Sequence, residues 1–136
     1  MEVRAKALIV EDDRSTSRLL REILMSEGCD ADVAYDGEAA MTHLRSGDYD
    51  LMLLDIILPR VSGLDVMDWL REEKAHVLER TIVVTGVNLS DIRQLFPTVS
   101  HVLSKPVIAS RLVRSIQHCL LLRPAVESRD VQFTRQ

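Results

Sequence analysis

Five short segments of strand character alternate with longer segments of helical period along this chain. That alternation restricts the fold more than any other feature. The short segments cover residues 7–10, 32–35, 51–54, 81–84 and 101–104. Three of them (ALIV, LMLL and TIVV) are apolar almost throughout, the pattern of a strand buried on both faces. Between them, Leu19, Leu20, Ile23 and Leu24 recur at helical spacing within 15–27, and Gly28 stops that helix. A second helix opens at Asp36-Gly37, carries Ala40 and Leu44 on one face, and ends at Ser46-Gly47. Leu64, Met67 and Leu70 mark one face of a third, with Asp65, Asp68 and Arg71 on the other. A fourth, over 90–96, is held to two turns because Pro97 breaks it. Ile108, Leu112, Ile116 and Leu120 line a long last helix.

Strands alternating with helices imply right-handed crossovers and a parallel sheet covered on both faces. The 136 residues are too few for an eight-fold barrel. The expected fold class is therefore α/β, an open, doubly wound five-stranded parallel sheet with a short or irregular fourth helix. One domain is expected over 1–122. Residues 123–136, polar and aperiodic, read as a tail or linker stub.

Composition narrows the function classes. Hydrophobic residues make up 46 % of the chain, enough for a core, and the net charge is −4, with 21 acidic against 17 basic residues. A general nucleic-acid binder would carry a basic stripe, so no direct nucleic-acid partner is expected. No apolar run reaches membrane-spanning length, and the N-terminus lacks the pattern of a signal peptide. Cys29 and Cys119 have no CxxC partner and read as reduced structural thiols. A cytoplasmic location is the expectation.

In open α/β sheets, ligands bind outside the carboxyl ends of the strands. The residues at those ends are Glu11, Asp12 and Asp13 after the first strand, and Asp55 after the third. Thr85 with Gly86 follow the fourth, and Lys105 with Pro106 the fifth. Crowded carboxylates repel unless a cation binds or one takes up a proton. Hard oxygen ligands near a phosphate suit Mg²⁺. An aspartate can act as a nucleophile and form an acyl phosphate. A threonine hydroxyl and a lysine ammonium can donate to phosphoryl oxygens. Asp13 alone reads as a solvated loop residue.

These motifs, LIVEDD, LLDIILPRVSG, VVTG and LSKP, resemble those of the receiver domain of two-component response regulators, over about residues 5–122. The resemblance implies a flavodoxin-like sheet in the order 2-1-3-4-5. It implies that Asp55 accepts a phosphoryl group from a sensor histidine kinase or phosphotransfer protein, and that Thr85 and Lys105 hold that group. Mg²⁺ would be bound by Asp12 and Asp55 directly, by Glu11 through water, and by the backbone carbonyl of Ile57. The family's lysine is usually followed by a cis proline, here Pro106.

The sequence departs from the family pattern in three places. The position three before Lys105, usually aromatic, is Val102, which has no ring to rotate in a switch. The short fourth helix implies a reshaped output face. Ile57 and Val87, two residues after Asp55 and Thr85, are apolar where the family admits an attacking water, which implies slow self-dephosphorylation. His43, His76, His101 and His118 read as scattered surface or packing residues, and Trp69 as a core or rim residue. Leu120 to Leu122 exceed what one helix face needs and suit helix packing or a homodimer contact.

Two other functions compete with the phosphoacceptor switch. A haloacid-dehalogenase-type phosphatase also uses a strand-end aspartate, but its nucleophile motif is DxD where this chain has Asp55-Ile56-Ile57, and a cap domain is missing. A pseudo-receiver would be an interaction module never phosphorylated, against which the full acid set, Thr85 and Lys105 argue. The output is expected through a downstream protein partner or a missing output domain.

Overall fold

A computed structural model describes residues 4–86 and 89–122. The five parallel strands are β1 (Ala5–Val10), β2 (Cys29–Ala34), β3 (Leu51–Leu54), β4 (Thr81–Thr85) and β5 (His101–Ser104), in the order β2-β1-β3-β4-β5. The helices are α1 (Arg14–Ser26), α2 (Gly37–Ser46), α3 (Gly63–Glu73), α4 (Ala75–Leu78), α5 (Leu89–Leu95) and α6 (Ala109–Leu121). The expected fold class and strand order are both observed.

Two-sided burial explains the apolar runs. Along β3, Leu51 and Leu53 pack with Leu20, Leu24, Leu112 and Ile116 of α1 and α6. Met52 and Leu54 point the other way and pack with Leu44, Met67 and Leu70 of α2 and α3. Alternate side chains of a strand face opposite sides of the sheet, so LMLL must be apolar at every position. Each fully buried leucine contributes about 1.5–3 kcal/mol. That fixes the strand whose end carries Asp55.

Several expected boundaries shift. β2 begins at Cys29 rather than Asp32 and ends before Tyr35. Its first residues pair with the start of β1, Ala5 with Cys29 and Lys6 with Asp30, so ladder pairing overrides weak strand propensity there. The one-turn helix α4 was not expected; it follows α3 directly and takes its number from chain order, so the short fourth helix of the sequence reading is α5. Its seven residues match the two turns expected before Pro97. On α6 the buried face is Leu112, Ser115, Ile116 and Cys119. Ile108 precedes the helix and is 52 % exposed, so it does not belong to that face. A strict i, i+4 series drifts around a helix of 3.6 residues per turn. Leu120 is half-buried against the core, whereas Leu121 and Leu122 are exposed.

Both cysteines are free and buried, as structural thiols should be. Burial pushes the Cys119 thiol above its ordinary pKa. Trp69 packs at the rim of the core, with the Arg45 guanidinium over its ring. The histidines are less scattered than the sequence suggests. His101 and His118 meet edge to face at 5.1 Å, and His43 shares a hydrogen-bond network with Tyr49. Val87 and residues 123–136 lie outside the described residues, and so do the readings placed on them.

Candidate functional site

The carboxyl ends of β1, β3, β4 and β5 meet at one edge of the sheet. Asp55 follows β3 immediately, and its backbone N–H donates to Val10 O at 3.0 Å, extending the ladder with β1. The apolar strand thus delivers the carboxylate to the edge, where Asp55 is only 5 % exposed. Glu11 follows β1, donates its own N–H to Ala34 O at 3.0 Å, and is 1 % exposed. Asp12 is exposed beside it. Carboxylate oxygens of Glu11, Asp12 and Asp55 lie within 4.8 Å of one another.

Lys105, at the end of β5, holds this cluster together. Its Nζ donates to Glu11 Oε1 at 2.8 Å and to Asp55 Oδ2 at 2.7 Å. Its backbone N–H donates to Thr85 O at 2.9 Å, and the Lys105–Pro106 peptide is cis. Burial works against the lysine's charge, but hydrogen bonds to Asp55 and Glu11 outweigh it and hold its pKa above the ordinary value. Burial pushes the Glu11 carboxyl up, against the hydrogen bonds from Lys105 and from the Asp13 amide, and the charge of Asp55 adds to the rise. A buried carboxylate is tolerable only when it is paired, and here one ammonium is shared by two of them.

Thr85 is fully buried as the last residue of β4. Gly86 follows it with open space around its Cα: a Cβ there would meet nothing within 4 Å. Ile57 donates its backbone N–H to Asp55 Oδ1 at 3.1 Å. Its side chain is 60 % exposed, so it stands at the rim of the site. Val102 is half-buried against the core, with no ring to move.

The structure brings together Glu11, Asp12, Asp55 and Lys105, with Thr85 and Ile57 joined through the backbone. It turns the Asp13 side chain away to cap α1, although the Asp13 backbone N–H donates to Glu11 Oε2 at 3.1 Å. The Asp13 carboxylate accepts from the backbone N–H and hydroxyl of Thr16 at 2.8 and 2.6 Å, and those bonds hold its pKa below the ordinary value. The Asp-x-x-Thr spacing before a helical run was the signal available for that cap. Gly63, the first residue of α3, also shapes the site. A Cβ there would lie 2.4 Å from Asp55 O and 2.7 Å from Ile56 Cα, so only glycine lets α3 start against the back of the acid.

A doubly wound parallel sheet in this strand order, with three clustered carboxylates and a lysine at its strand ends, defines a flavodoxin-like class of domain. The sequence profile of the response regulator receiver domain matches residues 7–117, and the chain belongs to that family. It is 38 % identical over 81 residues to the response regulator ArlR of Staphylococcus saprophyticus, covering 60 % of this chain and 36 % of that protein. It is 43 % identical over 67 residues to the transcriptional regulatory protein CpxR of Escherichia coli K12, covering 49 % of this chain and 28 % of that protein. The chain thus spans about a third or less of the length of these curated relatives. Among solved structures, the response regulator protein TrrA of Thermotoga maritima, in complex with Mg(2+)-BeF, is 30 % identical with a TM-score of 0.75. That match covers 85 % of this chain and 99 % of TrrA.

Proposed function

We propose that this chain is a phosphoacceptor switch. It takes a phosphoryl group from a phosphorylated histidine of a sensor kinase or phosphotransfer protein onto Asp55. The observation that carries this reading is the convergence of Glu11, Asp12, Asp55 and Lys105 from three strand ends on one edge. In the transfer, an Asp55 carboxylate oxygen forms the new bond to phosphorus. The phosphorus–nitrogen bond of the donor breaks, and its electron pair leaves with the imidazole. Lys105 stabilises the transferred oxygens with its ammonium, and Thr85 donates its hydroxyl to them.

The donor set fits Mg²⁺: hard carboxylate oxygens, few in number and within 4.8 Å of one another. Asp12 and Asp55 would bind it directly, Glu11 through water, and Ile57 through its carbonyl. When bound, the ion neutralises charge on the phosphoryl oxygens and on the carboxylates.

The apolar Ile57 side chain at the rim keeps hydrolytic water from being oriented, so the phosphoryl group is lost slowly. Output runs through a protein contact or through an output module in a longer parent. The two relatives ArlR and CpxR are roughly three to four times the matched length, which supports the second route. Among the described residues no helix is long and apolar enough to cross a membrane, in keeping with a cytoplasmic role.

Incubation with a kinase fragment carrying radiolabelled phosphohistidine tests this reading. Label should move to the wild-type chain and not to Asp55→Asn. Equal labelling of the two proteins, or none of the wild type by any of several donors, would overturn it.

A further inference from the structure

The loop between Asp55 and Gly63 is closed at its base and tied at its tip. At the base, Gly63 donates its N–H to Ile56 O at 2.9 Å, and the Gly63 backbone presses on Asp55 O so closely that no Cβ would fit. Ile57 donates its N–H to the Asp55 carboxylate itself. At the tip, Arg60 has φ 62°, a conformation that glycine adopts freely and other L residues resist. Strain of this kind persists where the surrounding contacts hold it, often at functional positions.

At the tip, two contacts lead to α2. The Arg60 guanidinium donates to Asp36 Oδ2 at 3.0 Å. The other oxygen of the same carboxylate accepts from Ala39 N–H at 2.7 Å and caps α2. The next loop residue, Val61, covers Gly37, the first residue of α2. A Cβ on Gly37 would stand 2.4 Å from Val61 O and 2.7 Å from Val61 Cγ1. A continuous series of contacts therefore runs from the Asp55 carboxylate, through the Ile57 amide and the closed loop, to the cap of α2. On the opposite side of the site, β5 carries Val102, which has no ring to rotate.

We propose that occupancy of Asp55 is transmitted through this loop to the first turn of α2, which makes α2 a readout element of the switch. The switching part rests on the reading of Asp55 as phosphoacceptor. Phosphoryl transfer converts the carboxylate that the Ile57 amide holds into an acyl phosphate and redirects that amide. Because Gly63 closes the base, the loop moves as a unit. Arg60 and Val61 then loosen their hold on Asp36 and Gly37, and the α2 cap frays. This is a bistable segment biased by charge at the site.

Amide exchange at Ala39 and Ala40, followed by NMR in the full 136-residue chain, tests it. Arg60→Ala should speed exchange at both amides by about two- to fivefold, the range expected for losing one exposed ion pair. Mg²⁺ with beryllofluoride should speed the same amides of the wild type by a similar factor, and should add nothing in Arg60→Ala. An arm without phosphoryl chemistry compares Asp55→Ala, Arg60→Ala and the double variant; Asp55→Asn replaces Asp55→Ala if the latter does not fold. Rates in the double variant should equal those of the faster single variant. Multiplied rates there overturn the inference, whatever the phosphorylation result. Unchanged α2 exchange in a protein that has gained phosphoryl at Asp55 overturns it and leaves the phosphoacceptor reading intact.

Discussion

Replacing Lys105 by methionine keeps the apolar stem and removes one charge. In the folded chain that charge is bonded to two carboxylates, Glu11 at 1 % and Asp55 at 5 % exposure. Removing one partner of a buried ion pair costs about 3–5 kcal/mol, because the remaining charge is left uncompensated. The lysine side chain is itself 30 % exposed, which lets water take over part of its role and places the cost at about 3 kcal/mol. With a urea slope of about 2 kcal/mol per molar, the midpoint should fall by about 1.5 M at pH 7.5 in EDTA. The pH dependence of stability reports on the same cluster. Glu11 has a raised pKa in the folded chain, so its folded form binds the proton more tightly than its unfolded form. Stability from such a group is present at low pH and is lost as pH rises through the folded pKa. Lys105→Met removes the hydrogen bond that keeps Glu11 ionised and raises that pKa further. The deficit of the variant should therefore be full at pH 7.5 and shrink as pH falls toward the carboxylate range. Lys105 in the wild type has a raised pKa as well, and its contribution should persist until pH rises past the ordinary lysine range. An unchanged urea midpoint at pH 7.5, or a deficit that grows on acidification, would refute this account of the cluster.

Asp12 is exposed yet lies within 4.8 Å of two other carboxylates; Asp12→Asn should raise stability by about 1 kcal/mol in EDTA, by relief of repulsion, and lose that advantage in excess Mg²⁺, as urea melts in the two buffers will show. Gly63→Ala should cost about 1–3 kcal/mol or more, since its Cβ meets Asp55 and Ile56 backbone that cannot step aside. Gly86→Ala, whose Cβ meets nothing within 4 Å, should leave the thermal midpoint nearly unchanged, and equal losses in both would contradict the packing argument. Ile57→Asn, at the rim of the site, should shorten the phosphoryl half-life measured by phosphate release after donor removal; a half-life equal to or longer than wild type would remove the role given to Ile57.

The legible parts of the sequence were those where burial leaves no choice. LMLL must be apolar at every position because both faces of β3 are covered, and Asp55 was readable by contrast with it. Lys105 and Thr85 were readable as polar residues at strand ends. The start of β2 was not, because Cys29 to Ala31 owe their strand conformation to pairing with β1 rather than to their own propensity. The buried face of α6 was misread because Ser115 and Cys119 sit in it while Ile108 stays outside. The contacts of Gly37 and Gly63 could not be read at all. A close approach between residues 24 apart, as between Gly37 and Val61, leaves no local pattern. The strained backbone of Arg60 is equally silent in sequence, since arginine carries no turn signal.

The central claim is that Asp55 accepts a phosphoryl group in a Mg²⁺-dependent reaction. The most direct measurement is intact-mass and peptide mass spectrometry after incubation with acetyl phosphate. The account predicts one labile phosphoryl group per chain, located on Asp55, with Mg²⁺ present. It predicts none in EDTA and none in Asp55→Asn. No mass gain with Mg²⁺, or a phosphoryl group located on another residue, would contradict it.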